Sequence, residues 1–305
     1  YELELTATEL ITEGDRIVGV RATKYDGTTY EVYGKSVILA TGGYIGDPDM
    51  CMEYLGNVYN SEAMLQNDGA GIKMAMAVGA ATYNIDMPPM VHIAQTKTII
   101  RNDDLDPDGK AVLSAFVLKP DCMFTDPSGE RFMSEAGNIA FDNWKAGGTY
   151  YAIYSQAQMD EYKEKGMALV AAPMFLNQGG KLEANTPIED LDHILEVGER
   201  YGIVVKADTM EELAKKLNAP KLVESAKAYT SYAKGEKDPF GKSKELFSPL
   251  EEGPFYAVIG AGYVYGSCGG LDIDANMNVL RTDGTPIENL YAVGQGSMGV
   301  LFTNK

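Results

Sequence analysis

Two stretches near opposite ends of the chain restrict its fold more than any other feature. Ser36-Val37-Ile38-Leu39-Ala40 reads as a continuous apolar run that stops at Thr41-Gly42-Gly43, and Asn289-Leu290-Tyr291-Ala292-Val293 stops at Gly294. A short apolar run closed by glycine is the pattern of a strand buried on both faces. The two lie about 250 residues apart, and the block between them has more helical pattern and a different composition. The economical arrangement is one α/β domain built from both ends of the chain, with a second domain inserted between them. A length of 305 residues suits two domains or one large interrupted domain. No internal repeat or low-complexity linker is visible.

Other segments carry local signals. Residues 3–8 alternate apolar and polar, Ile17–Ala22 follows the turn Glu13-Gly14-Asp15, and Thr28–Val32 follows the hairpin signal Asp26-Gly27. These predict a small antiparallel meander. Gly69–Ala81 is predicted helical, with Ile72, Met76 and Gly79 on one face, and so is Tyr151–Gly166. Thr209-Met210-Glu211-Glu212 is a capping box that opens a helix through Leu217, and Lys221–Gly235 is a further helix ended by glycine. Phe255–Val264 reads as a strand, and Leu271–Asp274 and Val279-Leu280 flank a turn. Residues 84–135 are mixed and give no assignment.

Composition excludes several classes. Lys+Arg number 26 against 44 Asp+Glu, for a net charge of −18. That sign repels a phosphate backbone, so no nucleic-acid partner is expected, and an anionic membrane surface is disfavoured for the same reason. No apolar run is long enough to span a bilayer. Cys51, Cys122 and Cys268 are odd in number and far apart, which argues against a disulfide framework or a zinc site. With only His92 and His193, no His-rich metal site is expected. His193, in an acidic helical stretch, reads as surface. Glycine, at 33 residues, is abundant enough to point to tight turns and close backbone approaches.

The glycines carry the first chemical hint. Gly294-x-Gly296-x-x-Gly299 has the spacing of the dinucleotide fingerprint and follows a strand, where backbone N–H groups at a helix start can meet a pyrophosphate. Ala40-Thr41-Gly42-Gly43 is a second place where small residues leave room for a flat ligand or a pyrophosphate. Alone, each also reads as an ordinary glycine turn.

Together with their surroundings they resemble a known family. The matching stretches are Lys35–Tyr44, Gly69-Ala70-Gly71-Ile72-Lys73-Met74-Ala75, Gly129-Glu130-Arg131-Phe132-Met133-Ser134-Glu135 (G-x-R-F-x-x-E), Thr209–Ala214 (T-x-E-E-L-A), Pro254-Phe255-Tyr256-Ala257, Gly269–Asp274 (G-G-L-x-I-D) and Asn289–Gly294, in that order over nearly the whole chain. In these the chain resembles the flavoprotein subunits of fumarate reductases and succinate dehydrogenases. It is most similar to the soluble flavocytochrome-type branch that includes urocanate and 3-oxosteroid enzymes.

The resemblance implies an α/β fold: a partial Rossmann-like FAD-binding domain, residues 1–91 and 266–305, interrupted by an α+β capping domain, residues 92–265. It implies FAD as cofactor, with Ala40, Thr41, Gly42, Gly266 and Gln295 as its remaining contacts. Gln295 stands where the family has a Glu that grips the ribityl chain. Ala70 stands where the family often has Asp. The family's GxGxxG strand and ribose-binding acid would precede Tyr1, and its chain would run past Lys305. The expectation is therefore a chain truncated at both ends that, as given, binds FAD weakly or not at all.

The chemistry the resemblance implies is hydride transfer from reduced flavin N5 to an activated C=C, with an acid protonating the neighbouring carbon. The family's usual arginine acid falls on Ile139. Its upstream Glu and Arg fall on Ala115 and Leu118, a substrate His falls on Tyr265, and a late substrate Arg falls on Lys305. His92 matches the family's early His after a one-residue slip. Arg131 reads as a structural ion-pair partner. A dianion such as fumarate needs paired cations, because desolvating unmatched carboxylates costs several kcal/mol each. A neutral or weakly charged enone-like or aromatic acceptor is expected instead. Tyr265, His92 and Lys305 are the candidate catalytic residues. Tyr265 also reads as a packed strand aromatic, His92 as a buried hydrogen-bonded histidine, and Lys305 as a frayed terminus. The implied partners are a small unsaturated substrate and an electron-donor domain or protein. The alternatives are a ketosteroid-type dehydrogenase working in the opposite direction, or a non-catalytic binding domain. The sequence assigns no compartment.

Overall fold

The computed structural model describes residues 2–61, 65–137, 139–168 and 180–301, and at 91–94, 140 and 141 the description is of the backbone. The chain forms two compact units, residues 1–90 with 264–305, and residues 91–263.

The first unit opens with the predicted meander. Strands β1 (Leu5–Glu13) and β2 (Arg16–Lys24) pair antiparallel, and β3 (Thr29–Tyr33) pairs antiparallel with β2. β1 outruns its six-residue alternation because irregularities at Ala7/Glu9 and Ile11/Thr12 reset the side-chain phase. Next come β4 (Val37–Leu39) and helix α1 (Pro48–Leu55). The Asp47 carboxylate caps α1 by accepting from the N–H groups of Asp49 and Met50, both at 2.9 Å, and Pro48 presets the first turn. Then follow β5 (Asn60–Ser61), α2 (Ala70–Ala77) and β6 (Thr82–Tyr83). α2 is shorter than predicted, since Gly79 takes φ +90° and turns the chain away from the helix.

The second unit holds β7 (Met90–Thr96), α3 (Pro107–Phe116), β8 (Met123–Thr125), α4 (Ile139–Asp142), β9 (Tyr150–Ser155), α5 (Gln156–Lys165), α6 (Leu191–Arg200), β10 (Val204–Ala207), α7 (Met210–Leu217), α8 (Leu222–Ala233) and β11 (Phe255–Gly266). β11 runs past the unit boundary, so Val264, Tyr265 and Gly266 count with the first unit. β11 pairs antiparallel with β10 and β9, and β9 pairs antiparallel with β8. Tyr150, Ala152 and Tyr154 of β9 pack with Phe116, Tyr162 and Ile194, while Tyr151 and Ile153 pack with Leu213, Leu222 and Tyr229. Both faces of the sheet are therefore covered.

This corrects the predicted helix over 151–166. Its first part is strand β9, buried on both faces and so without alternation, and short apolar runs of this kind do not distinguish strand from helix. The capping box at Ser155–Gln158, where Gln158 Oε1 accepts from the Ser155 N–H at 3.1 Å, marks where helix α5 begins.

A buried ion cluster ties three segments of this unit. Arg131 donates to both Glu135 carboxylate oxygens at 2.7 Å and also pairs with Asp238. Lys242 lies 3.3 Å from Glu135 and donates to the Cys122 carbonyl at 2.9 Å and to Tyr229 at 2.7 Å. The rings of Tyr229, Phe240 and Phe247 surround the guanidinium at 5.4, 5.0 and 5.6 Å. Burial alone would lower the Arg131 pKa, but Glu135 and Asp238 hold it above the ordinary value. Burial lowers that of Lys242. Arg131 is thus fully engaged in structural ion pairs.

The chain then returns to the first unit through β12 (Gly270–Leu271), β13 (Asn278–Leu280) and β14 (Pro286–Ala292). β14 lies parallel to β4, with Leu290, Tyr291 and Ala292 opposite Val37, Ile38 and Leu39, and antiparallel to β13. The two strand-then-glycine segments therefore run side by side. β4 differs from the strand expected there, which was buried on both faces: Leu39 is buried while Ile38, on the other face, is 64% exposed. Among the described residues no helix is long and apolar enough to cross a membrane.

Candidate cofactor site

The parallel pairing of β4 and β14 sends both glycine turns off the same end of one sheet. The Val293 N–H donates to the Leu39 carbonyl at 2.9 Å, just before the strands end. Ala40 and Thr41, at the tip of β4, are exposed. Gly42 takes φ +80°, and a Cβ there would overlap the Asn67 amide. The Gly43 N–H donates to Gln295 Oε1 at 3.4 Å. Asn67 Nδ2 donates to the same oxygen at 2.7 Å. Gly266 lies directly against the Gln295 amide, whose nitrogen a Cβ at 266 would overlap. The buried Ser267 hydroxyl accepts from the Tyr44 N–H at 3.2 Å and, like Gln295, lies against Gly43 where a Cβ would sit.

Thus Ala40, Thr41, Gly42, Gly266 and Gln295 all lie in the first unit, and Gly42, Gly266 and Gln295 meet in one cradle. Tyr265 is 40% exposed and precedes Gly266 on β11. The side chain of His92, on β7, and the whole of Lys305 lie outside the described residues. Ile139 and Ala115 are fully buried in the apolar core of the second unit, and Leu118 packs against it. His193 is exposed on α6.

Residues 294–301 depart from the strand-turn-helix of a dinucleotide fingerprint. They form 3₁₀ turns broken at Ser297, at φ −130° and ψ 20°, so no α-helix N-terminus follows Gly294. What the turn supplies instead is the Gln295 side chain. Sequence reasoning missed Asn67 and Ser267. The signal for Asn67 was a polar residue beside the Asp68-Gly69 turn, and for Ser267 a hydroxyl between Gly266 and Gly269.

The polar groups here are the N–H of buried Gly43, the hydroxyl of exposed Thr41 and the amides of half-buried Asn67 and Gln295, all uncharged. They fit the neutral, hydrogen-bonding part of a nucleotide-type cofactor, with Gly266 leaving the room the amide needs. A family model described as FAD binding domain matches residues 2–304. The chain belongs to this FAD-binding family. FAD is its cofactor.

The chain is 27% identical to an NADH:acrylate oxidoreductase of Vibrio harveyi, over 98% of this chain and 28% of that protein. It is 29% identical to a vinyl phenol reductase of Lactiplantibacillus plantarum, over 87% of this chain and 54% of that protein. The chain thus spans about a third to half of these relatives' length. The fold matches a crystal structure of 3-ketosteroid-Δ4-(5α)-dehydrogenase from Rhodococcus jostii RHA1, at a TM-score of 0.53 and 22% identity, over 97% of this chain and 54% of that one.

Proposed function

We propose that this protein is an FAD-dependent oxidoreductase that reduces an activated C=C bond on a neutral or weakly charged acceptor. The observation that carries the reading is the clasp of Gly43 and Asn67 on Gln295, which joins both ends of the chain into one neutral cradle within a matched FAD-binding family. Ala40, Thr41, Gly42, Gly266 and Gln295 would hold FAD. Bound and reduced, FAD supplies a hydride equivalent from N5 to one carbon of the acceptor. The chain must then deliver a proton to the neighbouring carbon and polarise the activating group.

Tyr265 is our candidate for the proton donor, because it is partly exposed and adjoins Gly266, which packs on Gln295. His92 and Lys305 remain further candidates for orienting the acceptor. Ile139 cannot give a proton, and its burial among apolar residues leaves no charge there to match a carboxylate. The relatives' names, acrylate oxidoreductase and vinyl phenol reductase, denote a monoanionic and a neutral acceptor, and both support a reading against a dianion. The reducing electrons must come from a donor domain or protein.

The test is acceptor-driven reoxidation of the reduced holoenzyme, followed by flavin absorbance. Cinnamate-like, vinyl phenol-like and enone acceptors should reoxidise it, with fumarate much slower. If no acceptor does so, the catalytic reading fails. Tyr265→Phe should lower turnover about 100-fold with FAD content unchanged. Undiminished turnover would remove Tyr265 from the chemistry.

A further inference from the structure

Gln295 is held in one orientation. Its Oε1 accepts two hydrogen bonds, from Asn67 Nδ2 at 2.7 Å and from the Gly43 N–H at 3.4 Å. Were the amide turned over, its NH₂ would face these two donors and both bonds would be lost. Among the described residues its Nε2 makes no protein hydrogen bond, and it lies over Gly266 where a Cβ would otherwise sit. Asn67 is itself fixed by backbone: its carbonyl accepts from the Gly46 N–H at 2.8 Å, and the Gly69 N–H donates to the Gly43 carbonyl at 3.0 Å. Its side-chain oxygen packs over Gly42. The pair spans 228 residues of sequence, so it exists only in the folded unit.

We infer that Asn67 is a positioning residue for the cofactor. It locks the Gln295 amide with Oε1 engaged and Nε2 over Gly266, which leaves the Nε2 donors for an acceptor atom of FAD. The inference rests on the FAD reading of this site and adds to it a residue that acts through another. A locked amide loses less rotational freedom on binding, so the gain is one of preorganisation.

The experiment is a double-mutant cycle on the chain itself, with Asn67→Ala, Gln295→Ala and the double variant, read two ways. FAD is titrated to millimolar concentration and followed by flavin fluorescence. Each single variant should weaken binding about tenfold, and the double variant no more than Gln295→Ala alone. Urea unfolding without FAD should show a coupling of about fivefold in the unfolding constant. Losses of affinity that multiply would mean that Asn67 acts on FAD directly, and would overturn the inference. So would an uncoupled unfolding cycle, which needs no cofactor. A wild-type chain that binds no FAD even at millimolar concentration while unfolding remains coupled would overturn the inference for this chain, whereas its membership of the FAD-binding family stands on the sequence match.

Discussion

Gln295 has room for its amide only because residue 266 carries no side chain. Gly266→Ala should therefore unseat Gln295 and weaken FAD binding about tenfold or more, at a stability cost of only about 1 kcal/mol. Flavin fluorescence titration and urea unfolding of the same variant separate the two effects, and an undisturbed FAD affinity would mean that Gln295 does not face the cofactor. The glycines of this site are legible in sequence because only glycine suits a φ of +80° or a backbone pressed on an amide. Asn67 is legible only as a polar residue beside a turn, since nothing near residue 67 in sequence reveals a partner at 295. Arg131 sits between: its R-F-x-x-E spacing reveals the pair with Glu135, but not Asp238 or the aromatic rings that complete the cluster.

At the scale of elements, local chemistry is the best guide where the ends of an element are polar and exposed. Thr209 Oγ1 accepts from the Glu212 N–H at 3.2 Å, as the capping box predicts, while the Glu212 carboxylate reaches back to the Asp208 N–H at 3.3 Å. Thr209→Ala should cost about 1 kcal/mol, measured as a lower urea midpoint, and Thr209→Ser should recover most of it. Elements buried on all sides are less readable. β9 and α3 lack a clean period because α3 is buried nearly all round and β9 on both faces. β4 errs the other way: its apolar run predicts two covered faces, and one of them carries an exposed Ile38.

At the scale of the whole molecule, acid should unfold the protein partly through Asp238. Burial opposes its charge, but the Arg131 guanidinium and the Lys242 N–H hold its pKa below the ordinary carboxylate value. Stability from this group is complete above the unfolded pKa of about 3.9 and is lost as pH falls through the lower folded value. Urea midpoints should therefore drop steeply below about pH 4. In Asp238→Asn they should be lower at pH 6 and flatter toward acid. An equally steep acid arm in that variant would assign the loss to other carboxylates.

Sequence alone determined the ingredients: a meander, two apolar strands closed by glycine, a capped helix, an acidic surface, and motifs that name an FAD-binding family. These are local, because backbone conformation, capping and period depend on residues a few positions apart. Tertiary structure decided which groups meet. The parallel pairing of β4 with β14, the seating of Gln295 between Gly43 and Gly266, its lock by Asn67, and the closure of the Arg131 cluster by Asp238 all join residues that are neighbours only in space. Such contacts depend on how the chain closes on itself, and no local pattern encodes that.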